Sequence, residues 1–233
     1  MALLAGCGGG GERRPESRRG PPDGPGPSAE RAERPATPAV RHSANAPTIV
    51  FLGTSLTAGL GLDPDDAYPA VIQRKIDSAG LDYSVVNAGV SGESSAGAVR
   101  RLDWILRQPP AILVIETGAN DGLRGQDPDS LKANIQAIID QVRKASPSTR
   151  VILTGMEALP NLGAEYTRRF HQVYPALARQ NSLPLVPFLL QDVGGVDSLN
   201  QQDGIHPTEA GARIVAANVW RVLLPELERG GNR

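Results

Sequence analysis

The chain has 233 residues, 40% of them hydrophobic, and its 24 basic side chains are balanced by 25 acidic ones. That length supports one domain with a sizeable core and does not force two. The near-neutral charge supplies no basic stripe for a nucleic-acid partner, and no run approaches the roughly 18 apolar residues of a membrane span.

The chain begins MALLAGC, and Cys7 is its only cysteine, so no internal disulfide can form. Leu4-Ala5-Gly6-Cys7 resembles the bacterial lipobox, in which a signal peptide is removed and the cysteine is lipidated. Only six residues precede Cys7, fewer than the about 7–15 apolar residues of a secretory signal. Either the chain starts inside a longer signal sequence or the match is accidental. Under the first reading, residues 1–7 are the remnant of a lipoprotein signal peptide, Cys7 is a lipid-attachment site and the protein is periplasmic or membrane-anchored. Residues 8–46, dense in Gly, Pro, Arg and Glu, bury too little apolar surface to offset ordering entropy and read as a disordered tether. As a flexible coil they would span on the order of 35 Å. Residues 47–228 form the domain.

From Pro47 onward short apolar runs alternate with helical patterns. Residues 48–53 (TIVFLG) read as a first strand. Tyr68, Val71, Ile72, Ile76 and Ala79 then share one helical face, with Gly80 as the stop signal. Residues 83–89 (YSVVNAG) and 111–118 (AILVIETG) are the second and third strands, separated by a helix through Val99, Leu102 and Leu106. The clearest helix follows. Asp127 caps it, Pro128 sits in its first turn, and Leu131, Ile135, Ile138, Ile139 and Val142 form its buried stripe. Residues 150–156 (RVILTGM) give a fourth strand, and Tyr166, Phe170, Val173 and Leu177 line a helix that Pro175 is expected to kink or divide. A fifth strand is expected over 184–190 (PLVPFLL) and a last helix over 208–224. Short apolar strands alternating with helices predict an α/β fold whose parallel sheet is covered on both faces. Ligands gather at the carboxyl ends of such strands, so the chemistry belongs in the loops after the first three strands and before the last helix.

Ser55 stands just beyond the first strand, after Gly53 and Thr54. It reads either as an ordinary helix-start residue or as a nucleophile aimed into a cleft. The second reading requires a base, an orienter for the base and donors for an oxyanion. Of the three histidines, His42 lies in the tether and His171 sits among charged neighbours in a helical pattern, which suits a solvated surface. His206 occurs in QQDGIHPTEAG, where Pro207 disfavours helical geometry at His206 and itself suits a first helical position. Asp203, across a glycine turn, can fold back onto one ring nitrogen and leave the other for Ser55. The oxyanion donors on offer are the N–H of Ser55, an unobstructed N–H at Gly92 and the side-chain amide of Asn120, with Gly118 turning the chain ahead of it. Each alone is an ordinary turn residue; their joint position at the strand ends gives them force. No histidine or cysteine cluster suggests a metal, and no cofactor is expected.

The segments FLGTSLTAGLGL, NAGVSGESSAG, ETGANDGLRG and DGIHP resemble the sequence blocks of the SGNH (GDSL) hydrolases, especially the bacterial multifunctional thioesterase/lysophospholipase/arylesterase branch. The resemblance spans about residues 47–225. It implies a flavodoxin-like three-layer α/β/α sandwich with a five-stranded parallel sheet. It also implies a monomeric serine esterase acting on a small-molecule or lipid substrate: an aryl ester, an acyl-CoA or a lysophospholipid. In that pattern Ser55 is the nucleophile, Asp203 and His206 complete its triad, and Ser55, Gly92 and Asn120 form the oxyanion hole. One departure is GTSL in place of the usual GDSL. Thr54 is expected to support the turn through its hydroxyl, and Glu116 to be structural, partnered by Arg124 or backbone donors. The acyl pocket is expected in the loops after the third and fourth strands, around 123–126 and 157–166.

Two other classes compete. A strand followed by a Gly/Ser/Thr loop and a helix can cradle the phosphate of a flavin or nucleotide, although GTSLTAG gives neither G-x-x-x-x-G-K-[ST] nor G-x-G-x-x-G. A surface-anchored protein could also keep the fold and lose turnover.

Overall fold

The structure is a computed structural model that describes residue 43 and residues 45–231. Cys7, His42 and almost all of the stretch read as a tether lie outside the described residues. Strand β1 (Thr48–Gly53) leads into the one-turn helix α1 (Ser55–Ala58), and α2 (Tyr68–Ser78) precedes β2 (Ser84–Gly89). Helix α3 (Ser95–Ile105) precedes β3 (Ile112–Ile115), and α4 (Ala119–Leu123) and α5 (Pro128–Ala145) precede β4 (Arg150–Thr154). Helix α6 (Ala164–Asn181), β5 (Leu185–Val186) and α7 (Glu209–Gly231) complete the order.

The five strands are parallel in the order β2-β1-β3-β4-β5. Helix α2 packs with α7, while α3 packs with α5 and α5 with α6, giving the helical layers of an α/β/α sandwich. The chain steps from β1 outward to β2 and then returns past β1 to β3. Connections therefore leave in opposite directions at β1 and β3, and a crevice opens beyond their carboxyl ends.

The core explains why these segments adopt these elements. Ile49, Phe51, Leu52 and all of Ile112 to Ile115 are fully buried, as strands covered on both faces require. In α5 the buried residues are the expected Leu131, Ile135, Ile138, Ile139 and Val142, and the Asp127 carboxylate caps the helix by accepting the Asp129 N–H at 3.3 Å. Strand β2 is the exposed edge. The Gln73 side chain blunts it by accepting the Val85 N–H at 2.7 Å and donating to the Tyr83 carbonyl at 3.0 Å.

Several boundaries differ from the sequence expectation. Strand β5 has two residues because Pro184 and Pro187 bracket it and neither has an N–H for the ladder. Pro175 does not divide α6, which runs unbroken to Asn181, and α7 continues through Pro225 to Gly231. In each case a missing backbone bond is outweighed by apolar side chains buried on both sides, Phe170 and Leu177 in α6, Leu223 and Leu227 in α7. The boundary at 46 is also blurred, since Ser43 donates its N–H and hydroxyl to the Asp82 carboxylate at 3.2 and 2.6 Å. No helix among the described residues is long and apolar enough to cross a membrane.

Candidate active site

Ser55 is the first residue of α1, directly beyond the end of β1, and is 9% exposed. Thr54 precedes it as the extended N-cap, and the Gly59 and Leu60 N–H groups both donate to the Ser55 carbonyl at 3.0 Å. The turn after β1 is thus a single tight loop with the Ser55 hydroxyl at the crevice.

The loop before α7 meets it. His206 Nε2 lies 2.8 Å from Ser55 Oγ, and His206 Nδ1 lies 2.6 Å from Asp203 Oδ2. A carboxylate can only accept, so Nδ1 carries the proton and Nε2 is free to accept from the Ser55 hydroxyl. The other oxygen of Asp203 accepts the N–H groups of Ile205 and His206 at 2.9 and 3.0 Å. The His206 donors, backbone first and ring second, together with the Ile205 N–H hold the Asp203 carboxyl down at about 2. Gln201 ties this loop to its surroundings. Its N–H donates to the His206 carbonyl at 2.7 Å, and its side-chain amide donates to the carbonyls of Leu60 and Pro207 at 2.7 and 2.9 Å. Nothing in the QQD triplet marks Gln201 for that role.

The loops after β2 and β3 are stitched together. Asn120, in the first turn of α4, donates to the Glu93 carbonyl at 3.1 Å and has a second N–H to offer the cleft, which it lines with Ser55 and His206. Gly118 before it takes φ +106 and lies against the Tyr174 hydroxyl, where any side chain would collide. The buried carboxylate of Asp121 accepts the N–H and hydroxyl of Ser95 at 2.8 and 2.5 Å, fastening the start of α3 to α4. Gly92 lies on the loop so fastened. It lines an adjoining depression beside Arg101 and Arg124 rather than the wall of the main cleft.

Glu116 is fully buried, and of its two expected partners it takes a backbone donor and not Arg124. The Arg124 guanidinium donates to the Gly92 carbonyl at 2.9 Å, whereas Glu116 receives the N–H of Thr54 at 2.7 Å and the hydroxyls of Thr54 and Thr57. Burial raises its carboxyl, and the bonds from Thr54 and Thr57 oppose that rise. Arg124 is an exposed side chain and follows the solvent, while Glu116 takes the donors of the neighbouring strand end. This arrangement counts against the phosphate-cradle reading, since the Thr54 N–H of the turn is given to a carboxylate. His171, by contrast, lies half-exposed on α6 against the Glu157 carboxylate at 2.5 Å, away from the triad geometry.

A cavity of about 280 Å³ opens from Ser55 and His206. Leu123, Ala158 and Leu159 line it from the expected loops, and Gln126 does not, its carbonyl instead accepting the Tyr166 hydroxyl at 2.7 Å. Met156, Phe188, Leu190 and Ile205 form further walls that sequence reasoning missed. Phe188 and Leu190 read as strand residues until Pro187 is seen to end the sheet and release them toward the cleft.

Residues 51–214 match the model of the GDSL-like lipase/acylhydrolase family. The chain is 42% identical to "Esterase TesA" of Pseudomonas aeruginosa over 185 residues, 79% of this chain and 91% of that relative. It is 34% identical to the "Thioesterase 1/protease 1/lysophospholipase L1" of Escherichia coli K12 over 184 residues, 78% of this chain and 86% of the relative. The solved psychrotrophic esterase EstA from Pseudoalteromonas sp., inhibited by monoethylphosphonate, superposes with a TM-score of 0.73 at 30% identity, covering 78% of this chain and 98% of that one. Fold, crevice and sequence relatives thus converge: the chain belongs to the GDSL-like lipase/acylhydrolase family, the SGNH hydrolases, and within it to the bacterial thioesterase, lysophospholipase and arylesterase branch of ester-hydrolysing enzymes.

Proposed function

We propose that this chain hydrolyses carboxylic esters or thioesters by double displacement, with Ser55 as nucleophile, His206 as general base and acid, and Asp203 as orienter of the imidazole. The observation that carries the reading is the continuous line from Asp203 Oδ2 to His206 Nδ1, at 2.6 Å, and from His206 Nε2 to Ser55 Oγ, at 2.8 Å. His206 takes the Ser55 proton as Oγ attacks the carbonyl carbon. The Ser55 N–H and the Asn120 amide stabilise the tetrahedral oxyanion, joined by the Gly92 N–H if the substrate draws its adjoining loop toward the cleft, and neutral donors do so without a charge of their own to desolvate. His206 then gives its proton to the leaving alcohol, phenol or thiol, and collapse leaves an acyl-Ser55 ester. Water, deprotonated by the same histidine, attacks that ester and regenerates the enzyme. The apolar cavity beside Ser55 suits an acyl chain, and the substrate is of the aryl ester, acyl-CoA or lysophospholipid type.

Nitrophenyl esters of increasing chain length, assayed beside acyl-CoA and lysophospholipid, test the substrate class. Ser55→Ala tests the nucleophile. We expect kcat to fall about 10⁶-fold and phosphonate labelling to disappear; equal labelling of the variant overturns the assignment. Lipidation at Cys7, with residues 8–46 as tether to a domain on the periplasmic side, belongs to the same proposal. Radiolabelled fatty acid should enter the protein expressed from its own gene, with any upstream signal sequence kept, and be absent from Cys7→Ser.

A further inference from the structure

We propose that Glu116 is the positioning residue of the nucleophile turn: its buried carboxylate grips Thr54 and Thr57, on either side of Ser55, and so sets where the Ser55 hydroxyl meets His206. The inference rests on Ser55 being the nucleophile and adds a group that neither the triad nor the oxyanion donors use.

Glu116 follows β3 and lies beside the end of β1, its own N–H donating to the Leu52 carbonyl at 2.8 Å. The side chain is 0% exposed, as are Thr54 and Thr57. Its oxygens face protons from the turn. The Thr54 N–H reaches Oε2 at 2.7 Å, the Thr54 hydroxyl is 3.0 Å from both oxygens, and the Thr57 hydroxyl reaches Oε2 at 2.8 Å. Because Thr57 has one hydroxyl proton and gives it to Glu116, the Tyr68 hydroxyl 2.8 Å away must donate to Thr57 Oγ1. The chain of bonds therefore runs one way, from Tyr68 through Thr57 to an acceptor-only end, which is what an ionised carboxylate supplies. These hydroxyl donors come from the residue before Ser55 and from two residues after it, so the carboxylate holds the turn from both sides. Gly53 permits the approach: a Cβ there would lie 1.9 Å from Thr57 Oγ1 and 2.7 Å from Glu116 Oε2.

Glu116→Gln keeps the shape but gives up the charge, and its amide N–H must be accepted by the Thr54 hydroxyl, which then turns its own proton to the one remaining carbonyl oxygen, already shared by the Thr54 N–H and the Thr57 hydroxyl. For the full chain acting on a nitrophenyl ester we expect kcat to fall about 10²-fold, the scale of an ångström-sized misplacement, with KM unchanged. The rate constant for phosphonate labelling at position 55 should fall in step, while the labelled fraction still reaches one per chain. Thr54→Val, which removes one hydroxyl donor, should lose less and should add nothing to Glu116→Gln when the two are combined. An unchanged kcat and labelling rate per labelled site in Glu116→Gln, with only the melting temperature lowered, overturns the proposal. If Glu116→Gln does not fold, an unchanged labelling rate in Thr54→Val overturns it equally. Failure of the phosphonate to label Ser55 in the unsubstituted chain sinks the nucleophile reading instead, so the two failures are distinct.

Discussion

Glu116 and Asp203 each fasten a loop of the same site through backbone N–H groups, but in opposite surroundings. Glu116 is fully buried beneath the turn that carries Ser55, whereas the Asp203 side chain is 45% exposed on the loop that carries His206. Burial raises the first carboxyl; the donors of His206 and Ile205 hold the second down at about 2. Asp121 belongs with Glu116, being 1% exposed and bonded to both the N–H and the hydroxyl of Ser95. A charge at the surface keeps part of its hydration, and its bonds compete with water. A buried charge loses that hydration and depends on every donor around it. The site is therefore built from a buried half, beneath Ser55 and Asn120, and a more exposed half, the loop that carries Asp203 and His206.

The strongest way to break the exposed half is Asp203→Asn. The new amide presents N–H where Nδ1 needs an acceptor and so favours the wrong tautomer, and kcat should fall about 10⁴-fold. The asparagine keeps an oxygen for the Ile205 and His206 N–H groups, so the melting temperature should move little, and a kcat within tenfold of the unsubstituted enzyme would detach Asp203 from the imidazole. On the buried half, Asn120→Ala should cost about 10²–10³-fold in kcat with the fold intact; no change would remove Asn120 from the proposed oxyanion hole. Gln201→Ala sharpens the contrast at lower amplitude. It deletes side-chain bonds to Leu60 and Pro207, so stability should drop by about 1–2 kcal/mol and kcat by less than tenfold, and an unaltered melting curve would show that the loop needs no such tie.

Acid titration gives the smallest effect and separates the two carboxylates by sign. The folded value of about 2 for Asp203 lies below the ordinary value of about 3.9. Its contribution to stability is therefore complete above about pH 5 and is lost as the pH falls toward 2. The raised carboxyl of Glu116 acts in the opposite sense, because the folded chain takes up that proton at higher pH than the unfolded one. Asp203 stays ionised throughout pH 5 to 8 and accounts for no change in turnover there. There kcat should fall on the acid side, because the imidazole must be neutral to accept the Ser55 proton, while circular dichroism stays constant. A flat profile would remove His206 as the base.

Local pattern made much of this legible. The α5 stripe, the uniformly apolar β1 and β3 and the Asp127 cap follow from residue spacing alone, and the residues that meet in the crevice stand in segments whose turn chemistry marks strand ends. Glu116 shows the limit. The sequence suggests Arg124 or some backbone donor as its partner but not which one, and its donors prove to be Thr54 and Thr57, 62 and 59 residues away. The cleft wall from Phe188 and Leu190 was hidden for a similar reason, since an apolar run does not reveal where two prolines will end the pairing.

What the amino-acid order determines here is which residue types stand at which strand end: a hydroxyl after β1, an amide after β3, and a carboxylate with an imidazole before α7. These depend on near neighbours, through periodicity, capping and the missing N–H of proline. What the tertiary structure decides is which of them touch. Ser55 and His206 are 151 residues apart in the chain and 2.8 Å apart in space, because the strand order β2-β1-β3-β4-β5 brings these ends to one crevice. Burial, a property of the whole packed sheet, then sends the carboxyl of Glu116 upward while hydrogen bonds at the surface send that of Asp203 downward.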